Sequence, residues 1–172
     1  MNLVLVGYRG TGKSAIARKL SELLSLPRVS LDEEIVREAG KPIPEIVSAS
    51  GWPFFRDLEE RICRKVGGQD ALVIDCGGGV VEREANIESL RKRGRVFWLR
   101  ATPATIVARI GGDSERPSLT GSKSFTEEVE EVLERREPLY HRIAHEHVDT
   151  DAHSVGELAG IIATKFRSVG RP

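Results

Sequence analysis

Apolar and polar positions along this chain fall into blocks that switch between two periods. Asn2-Leu3-Val4-Leu5-Val6 is a short, nearly continuous apolar run, the form of a parallel strand buried on both faces. Ser14 to Leu26 then places Ile16, Ala17, Leu20, Leu23 and Leu24 at the spacing of an amphipathic helix. The alternation repeats downstream. Further strands are predicted at 28–31, 71–74, 96–99 and 147–148. Further helices are predicted at 33–39, 45–49, 54–66, 84–92, 103–110, 127–144 and 154–166. Gly40 and the pair Gly67-Gly68 punctuate helix ends, and Pro42 and Pro44 break the chain ahead of 45–49. Strands alternating with helices imply an α/β protein, a parallel sheet with helices on both faces. In such folds ligands sit at the carboxyl ends of the strands. No linker, repeat or low-complexity tract divides residues 1–172, so a single domain is expected.

Between the first strand and the first helix lies Gly7-Tyr8-Arg9-Gly10-Thr11-Gly12-Lys13-Ser14. It fits the phosphate-loop pattern of Gly, four free positions, then Gly-Lys-Ser/Thr, in the strand–loop–helix context the mechanism needs. The glycines let backbone amides turn toward an anion, and the helix N-terminus adds its positive dipole end. Lys13 would reach the β- and γ-phosphates, and the Ser14 hydroxyl would ligate magnesium. The nucleotide site is therefore expected at Gly10, Thr11, Gly12, Lys13, Ser14 and Ala15.

The strand-end rule selects other chemistry. The second strand runs into Asp32-Glu33-Glu34, and the third into Asp75-Cys76-Gly77-Gly78-Gly79. Asp32 could accept a proton from an attacking hydroxyl, or could be only the N-cap of the helix that follows. Three successive glycines either turn the chain or let a ligand approach the backbone. Arg56 and Glu59, three apart on one helix face, form either an orienting ion pair or an ordinary solvated contact. Glycines bracket the polar stretch 111–124, which reads as a lid carrying Arg116 to transferring phosphate, with a plain surface loop as the alternative. Arg135-Arg136 could be simple helix-surface charge.

Composition narrows the partners. Lys+Arg and Asp+Glu are equal at 26 each, leaving no net field for a nucleic acid or a membrane surface. No apolar stretch approaches the length of a membrane span, and the first residues lack the pattern of a signal peptide. Two cysteines, Cys63 and Cys76, give no disulfide framework; a reduced, cytoplasmic protein is expected. Arginines outnumber lysines 19 to 7, which suits bidentate grips on carboxylate and phosphate.

An ordered set of segments resembles the shikimate kinase family from Leu3 to about Ile162. The set comprises the phosphate loop, Asp32-Glu33-Glu34-Ile35, Phe55-Arg56-Asp57-Leu58-Glu59, Gly77-Gly78-Gly79, Arg116-Pro117, and Arg136 ahead of Pro138-Leu139-Tyr140. The resemblance implies a three-layer αβα phosphate-loop kinase fold with five strands ordered 2-3-1-4-5. It also implies transfer of the ATP γ-phosphoryl to the 3-hydroxyl of shikimate, on the route to chorismate and the aromatic amino acids. By position it assigns Lys13, Asp32 and Arg116 to catalysis, and Arg109 and Arg116 to the nucleotide. Substrate binding falls to Asp32, Arg56, Glu59, Gly78, Gly79 and Arg136, within a helical segment at about 32–66. ATP is the co-substrate, Mg2+ the cofactor, and a monomer is expected.

Two positions depart from the family pattern. Ser30 stands where members usually carry an aspartate that orders the magnesium's waters, and Asp75-Cys76 replaces a small residue and threonine before the glycines. Asp75, or Asp32, could supply the missing carboxylate beyond the Ser14 ligand. Two other readings remain at this level: a small-metabolite kinase for gluconate or a nucleotide, and a nucleotide-binding module without transfer activity. A histidine metal site at His141, His145 and His147 is disfavoured because nothing nearby completes it. Cys76 reads as a small buried apolar residue rather than a nucleophile.

Overall fold

Five strands pair in the order β2-β3-β1-β4-β5, and every pairing is parallel. They are β1 (Asn2–Val6), β2 (Arg28–Ser30), β3 (Val73–Asp75), β4 (Gly94–Arg100) and β5 (Glu146–Asp149). The computed structural model describes residues 1–110 and 125–169. The expected lid at 111–124, with Arg116, lies outside the described residues. Helices α1 (Lys13–Leu24), α2 (Leu31–Ala39), α3 (Ile43–Gly67), α4 (Glu84–Arg93), α5 (Pro103–Ile110), α6 (Phe125–Ile143) and α7 (Val155–Val169) complete the described chain.

The central strand explains the layering. Successive residues of a strand face opposite sides of a sheet. Val4 and Val6 accordingly enter a core with Ile35, Leu58, Ile62, Ile87 and Leu90, beneath α2, α3 and α4. Leu3 and Leu5 enter another with Ile16, Leu20, Leu158 and Ile162, beneath α1 and α7. A strand with helices on both sides has no polar face to show, which is why β1 reads as an apolar run.

Several boundaries differ from the sequence expectation. The segments 45–49 and 54–66 run together as α3, bent at Gly51, whose φ of 78° and ψ of 169° leave the helical region. Pro44 does not break the chain; it lies in the first turn of α3, where its missing N–H has no partner to lose. The third strand begins later than expected because Ala71 takes a left-handed φ of 57°, and it extends through Asp75. Asp75 thus sits inside the ladder, in register with Leu5 on one side and Ser30 on the other. The cap of α2 is Ser30, whose hydroxyl accepts from the Glu33 amide at 3.4 Å, so Asp32 belongs to the first turn and is not the cap. Helix α6 stops at Ile143, within one residue of the expected end, so His141 lies on it and His145 beyond it.

Candidate active site

The carboxyl ends of β1, β2 and β3 bring two clefts together. The first is polar, and Lys13, Ser14, Ser30, Asp32 and Asp75 are among its walls. Lys13 begins α1, is 8% exposed, and donates from Nζ to the Tyr8 carbonyl oxygen at 2.8 Å. The Thr11 hydroxyl donates to the same oxygen, also at 2.8 Å. The phosphate loop is thereby held closed on itself. Asp75 accepts from Arg28 Nη1 at 3.3 Å, and Ser14 lies on the wall of the same cleft. Burial raises the Asp75 carboxyl above its ordinary range, while Lys13, Ser14 and Arg28 act in the opposite sense.

The second cleft encloses about 510 Å³ counting its open mouth. Asp32, Arg56, Glu59, Arg136 and Gly77 to Gly79 form its polar wall, with Ile43, Trp52 and Phe55 as apolar surface. Asp32, Arg9, Gly77 and Gly78 belong to both clefts. Asp32 is the carboxylate common to the two.

The glycine run is explained by these side chains. A Cβ on Gly77 would lie 2.7 Å from Asp32 Oδ1, and one on Gly79 would lie 2.1 Å from Arg56 Nη2. Neither glycine has a positive φ. What requires glycine is the close approach of the protein's own Asp32 and Arg56, not the sharpness of the turn.

Arg56 and Glu59 are not a solvated surface pair. Arg56 Nη1 donates to Glu59 Oε2 at 2.7 Å, and Glu59 is 1% exposed. Burial raises the Glu59 carboxyl and Arg56 opposes that shift. The guanidinium also lies 5.4 Å from the Trp52 ring centre and 5.3 Å from that of Phe55, within cation–π range. Arg136, 3% exposed, lies 5.9 Å from the Tyr8 ring centre and is not surface charge either. Its Nε donates to Glu82 Oε1 at 2.8 Å. Beside it the Tyr140 hydroxyl donates to the Gly78 carbonyl.

Arg109 sits at the edge of the phosphate loop, donating from Nη1 to the Gly10 carbonyl and to the Thr150 hydroxyl, both at 3.1 Å. Arg116 lies outside the described residues. Both cysteines are buried, and burial pushes their thiols well up, so neither is poised as a nucleophile. His145 accepts the Val96 amide at Nδ1, a structural task, and no cluster of three or more metal-ligating side chains occurs among the described residues. Sequence reasoning missed Tyr8, Arg28 and Glu82. Tyr8 occupies a free position of the loop motif, and Arg28 reaches Asp75, and Glu82 its arginines, only through tertiary contact.

A family model described as shikimate kinase matches residues 9–167. A shikimate kinase of Rhodopirellula baltica is 42% identical over 99% of this chain and 93% of its own length. One of Persephonella marina is 34% identical over 96% of this chain and 99% of its own. Among solved structures, the shikimate kinase of Acinetobacter baumannii in complex with shikimate superposes with a TM-score of 0.93 at 32% identity. The alignment covers 99% of this chain and 95% of that one. With the phosphate loop, the arginine-lined cleft and their shared aspartate in place, these matches over nearly the full length establish that the chain belongs to the shikimate kinase family.

Proposed function

We propose that this chain transfers the γ-phosphoryl group of ATP to the 3-hydroxyl of shikimate, giving shikimate 3-phosphate and ADP. One observation carries the reading: Asp32 stands where the polar cleft beside the phosphate loop meets a second cleft armed with two arginines. Phosphoryl transfer needs little covalent chemistry from the protein; it needs the acceptor oxygen in line with the phosphorus and charge stabilisation around it. Arg56 and Arg136 would grip the substrate carboxylate, with Glu59 orienting Arg56. The backbone at Gly78 and Gly79 would meet the ring hydroxyls, and the carbon ring would lie on Ile43, Trp52 and Phe55. Asp32 would take the hydroxyl proton as the new oxygen–phosphorus bond forms and the bond to the ADP oxygen breaks.

Gly10, Thr11, Gly12, Ser14 and Ala15 would cradle the triphosphate, with Lys13 released from Tyr8 to reach it. Arg109, beside Gly10, is suited to the nucleotide. Arg116, on the lid expected at 111–124, would join the phosphates. The donors fit magnesium: a Ser14 hydroxyl and the Asp75 and Asp32 carboxylates in one polar cleft are the hard oxygens that ion prefers. Ser14 would hold it, with Asp75 or Asp32 ordering its waters. When bound, the ion neutralises charge that develops on the phosphates. A monomer in the cytoplasm, without nucleic-acid or membrane partners, completes the proposal. The balanced charge, 26 basic against 26 acidic residues, leaves no net field to draw a nucleic acid or a membrane surface.

The test is ADP release with shikimate, gluconate and nucleoside monophosphates offered side by side. Release that depends on shikimate is expected; release with gluconate or a nucleotide in its place would overturn the substrate assignment.

A further inference from the structure

Glu82 closes the short 3-10 turn Val80–Glu82 that follows the three glycines. Val80 and Val81 are buried in the core, and the Glu82 amide donates to the Gly79 carbonyl at 3.0 Å, so its backbone is fixed against the turn. Its carboxylate joins two helices. Oε1 accepts from Arg136 Nε at 2.8 Å and lies 2.7 Å from Arg136 Nη2, and Oε2 lies 3.2 Å from Arg56 Nε. Arg135 Nη2 adds a contact to Oε1 at 3.1 Å from the exposed side. Burial acts to raise the Glu82 carboxyl, but the guanidinium groups of Arg136 and Arg56 outweigh it and hold the group below the ordinary glutamate range.

Glu82 is not among the described residues that wall the acceptor cleft, whereas Arg56 and Arg136 are. It grips the arginines from behind. Two guanidinium groups on separate helices repel one another when brought to one site, and long arginine side chains lose rotamer freedom when fixed. A carboxylate that takes one oxygen to each relieves both costs before any substrate arrives. We propose that Glu82 is a positioning residue for acceptor binding: it holds Arg56 and Arg136 together as a preassembled clamp for the carboxylate of the substrate. The inference rests on the proposed use of those arginines for that carboxylate.

The sign of the effect separates this role from its rival. If Glu82 merely neutralised the arginines or stood in the place of the substrate, removing it would tighten binding. Positioning requires the reverse. The experiment is steady-state kinetics of Glu82→Ala and Glu82→Gln, alone and with Arg136→Ala. Glu82→Ala should raise the shikimate KM about tenfold, the scale of a charged hydrogen bond, with kcat and the ATP KM within about twofold. Glu82→Gln should fall between it and the unmodified chain, since its one carbonyl oxygen can still accept from Arg136 while its amide nitrogen cannot accept from Arg56. This isosteric variant keeps the test open if the alanine variant folds poorly. In the Arg136→Ala background, which removes two of the four arginine contacts to Glu82 and leaves no pair of guanidinium groups for it to hold together in the cleft, the kcat/KM penalty of Glu82→Ala should shrink to about twofold. An unchanged or lowered shikimate KM in both Glu82 variants, or an undiminished penalty without Arg136, would overturn the proposal. Absence of shikimate-dependent ADP release in the unmodified chain would instead defeat the function proposed above.

Discussion

The proposed chemistry turns mostly on Asp32, because among the described residues it alone combines a carboxylate with a place in both clefts. Its side chain lies against Gly77 rather than reaching back to cap its helix, a task Ser30 already performs. Asp32→Asn keeps size and most hydrogen bonding but cannot take a proton. Turnover should fall about 100-fold or more, the usual worth of a general base, while ATP binding measured by titration persists. Near-normal turnover would remove Asp32 from catalysis. In the proposed reaction Arg56 and Arg136 belong to the other substrate. Arg56→Ala or Arg136→Ala should raise the shikimate KM by a factor corresponding to about 1.5–3 kcal/mol and leave ATP affinity nearly unchanged. A collapse of ATP binding with a steady shikimate KM would show that the clamp is misplaced.

At the scale of elements, the glycine turn after β3 is the sharpest test of close packing. A methyl group at position 79 would sit 2.1 Å from Arg56 Nη2, whereas one at position 78 meets nothing nearer than 3.4 Å. Gly79→Ala should therefore displace Arg56 and raise the shikimate KM well beyond Gly78→Ala; equal effects would mean that the guanidinium has room to move. The three glycines were legible as a special turn, but not their reason, since the side chains that press on them come from α2 and α3. The strands and helices were legible because each buries a periodic apolar face. The failures have the same origin as the glycine surprise. Only three-dimensional context joins 45–49 to 54–66 across Gly51 and starts β3 late at Ala71. His145 supplies an element-scale test of its own. Burial, then the charges of Arg91 and Arg95, lower its pKa, so the folded state keeps it neutral while it accepts the Val96 amide between β4 and β5. The unfolded chain binds that proton first as pH falls, so stability should drop from about pH 6.5 downward toward the lowered folded-state value. The thermal midpoint of His145→Asn should change less than that of the unmodified chain over this interval; parallel curves would sink the assignment.

Across the whole molecule, function collects at one edge of the sheet because parallel strands end together there. The order β2-β3-β1 puts Ser30, Asp75 and the phosphate loop side by side, and in-register neighbours on adjacent strands lie about 5 Å apart. A carboxylate at either 30 or 75 thus faces the same polar cleft, with Lys13 and Ser14 opposite. Here position 30 is a serine spent on capping α2, and position 75 carries the carboxylate, on the same cleft wall as Ser14 and braced by Arg28. Capping the glycine turn would be a sufficient task for Asp75, but its side chain faces the phosphate cleft. Groups that order a metal's ligands commonly matter by about 10–100-fold. Asp75→Asn should therefore raise the magnesium concentration for half-maximal activity about tenfold, and should weaken magnesium-dependent ADP binding measured by calorimetry. Adding Ser30→Asp should restore part of both, because aspartate still caps a helix and returns a carboxylate to the neighbouring strand end. A magnesium titration unchanged by Asp75→Asn would show that the ion does not depend on this side of the sheet.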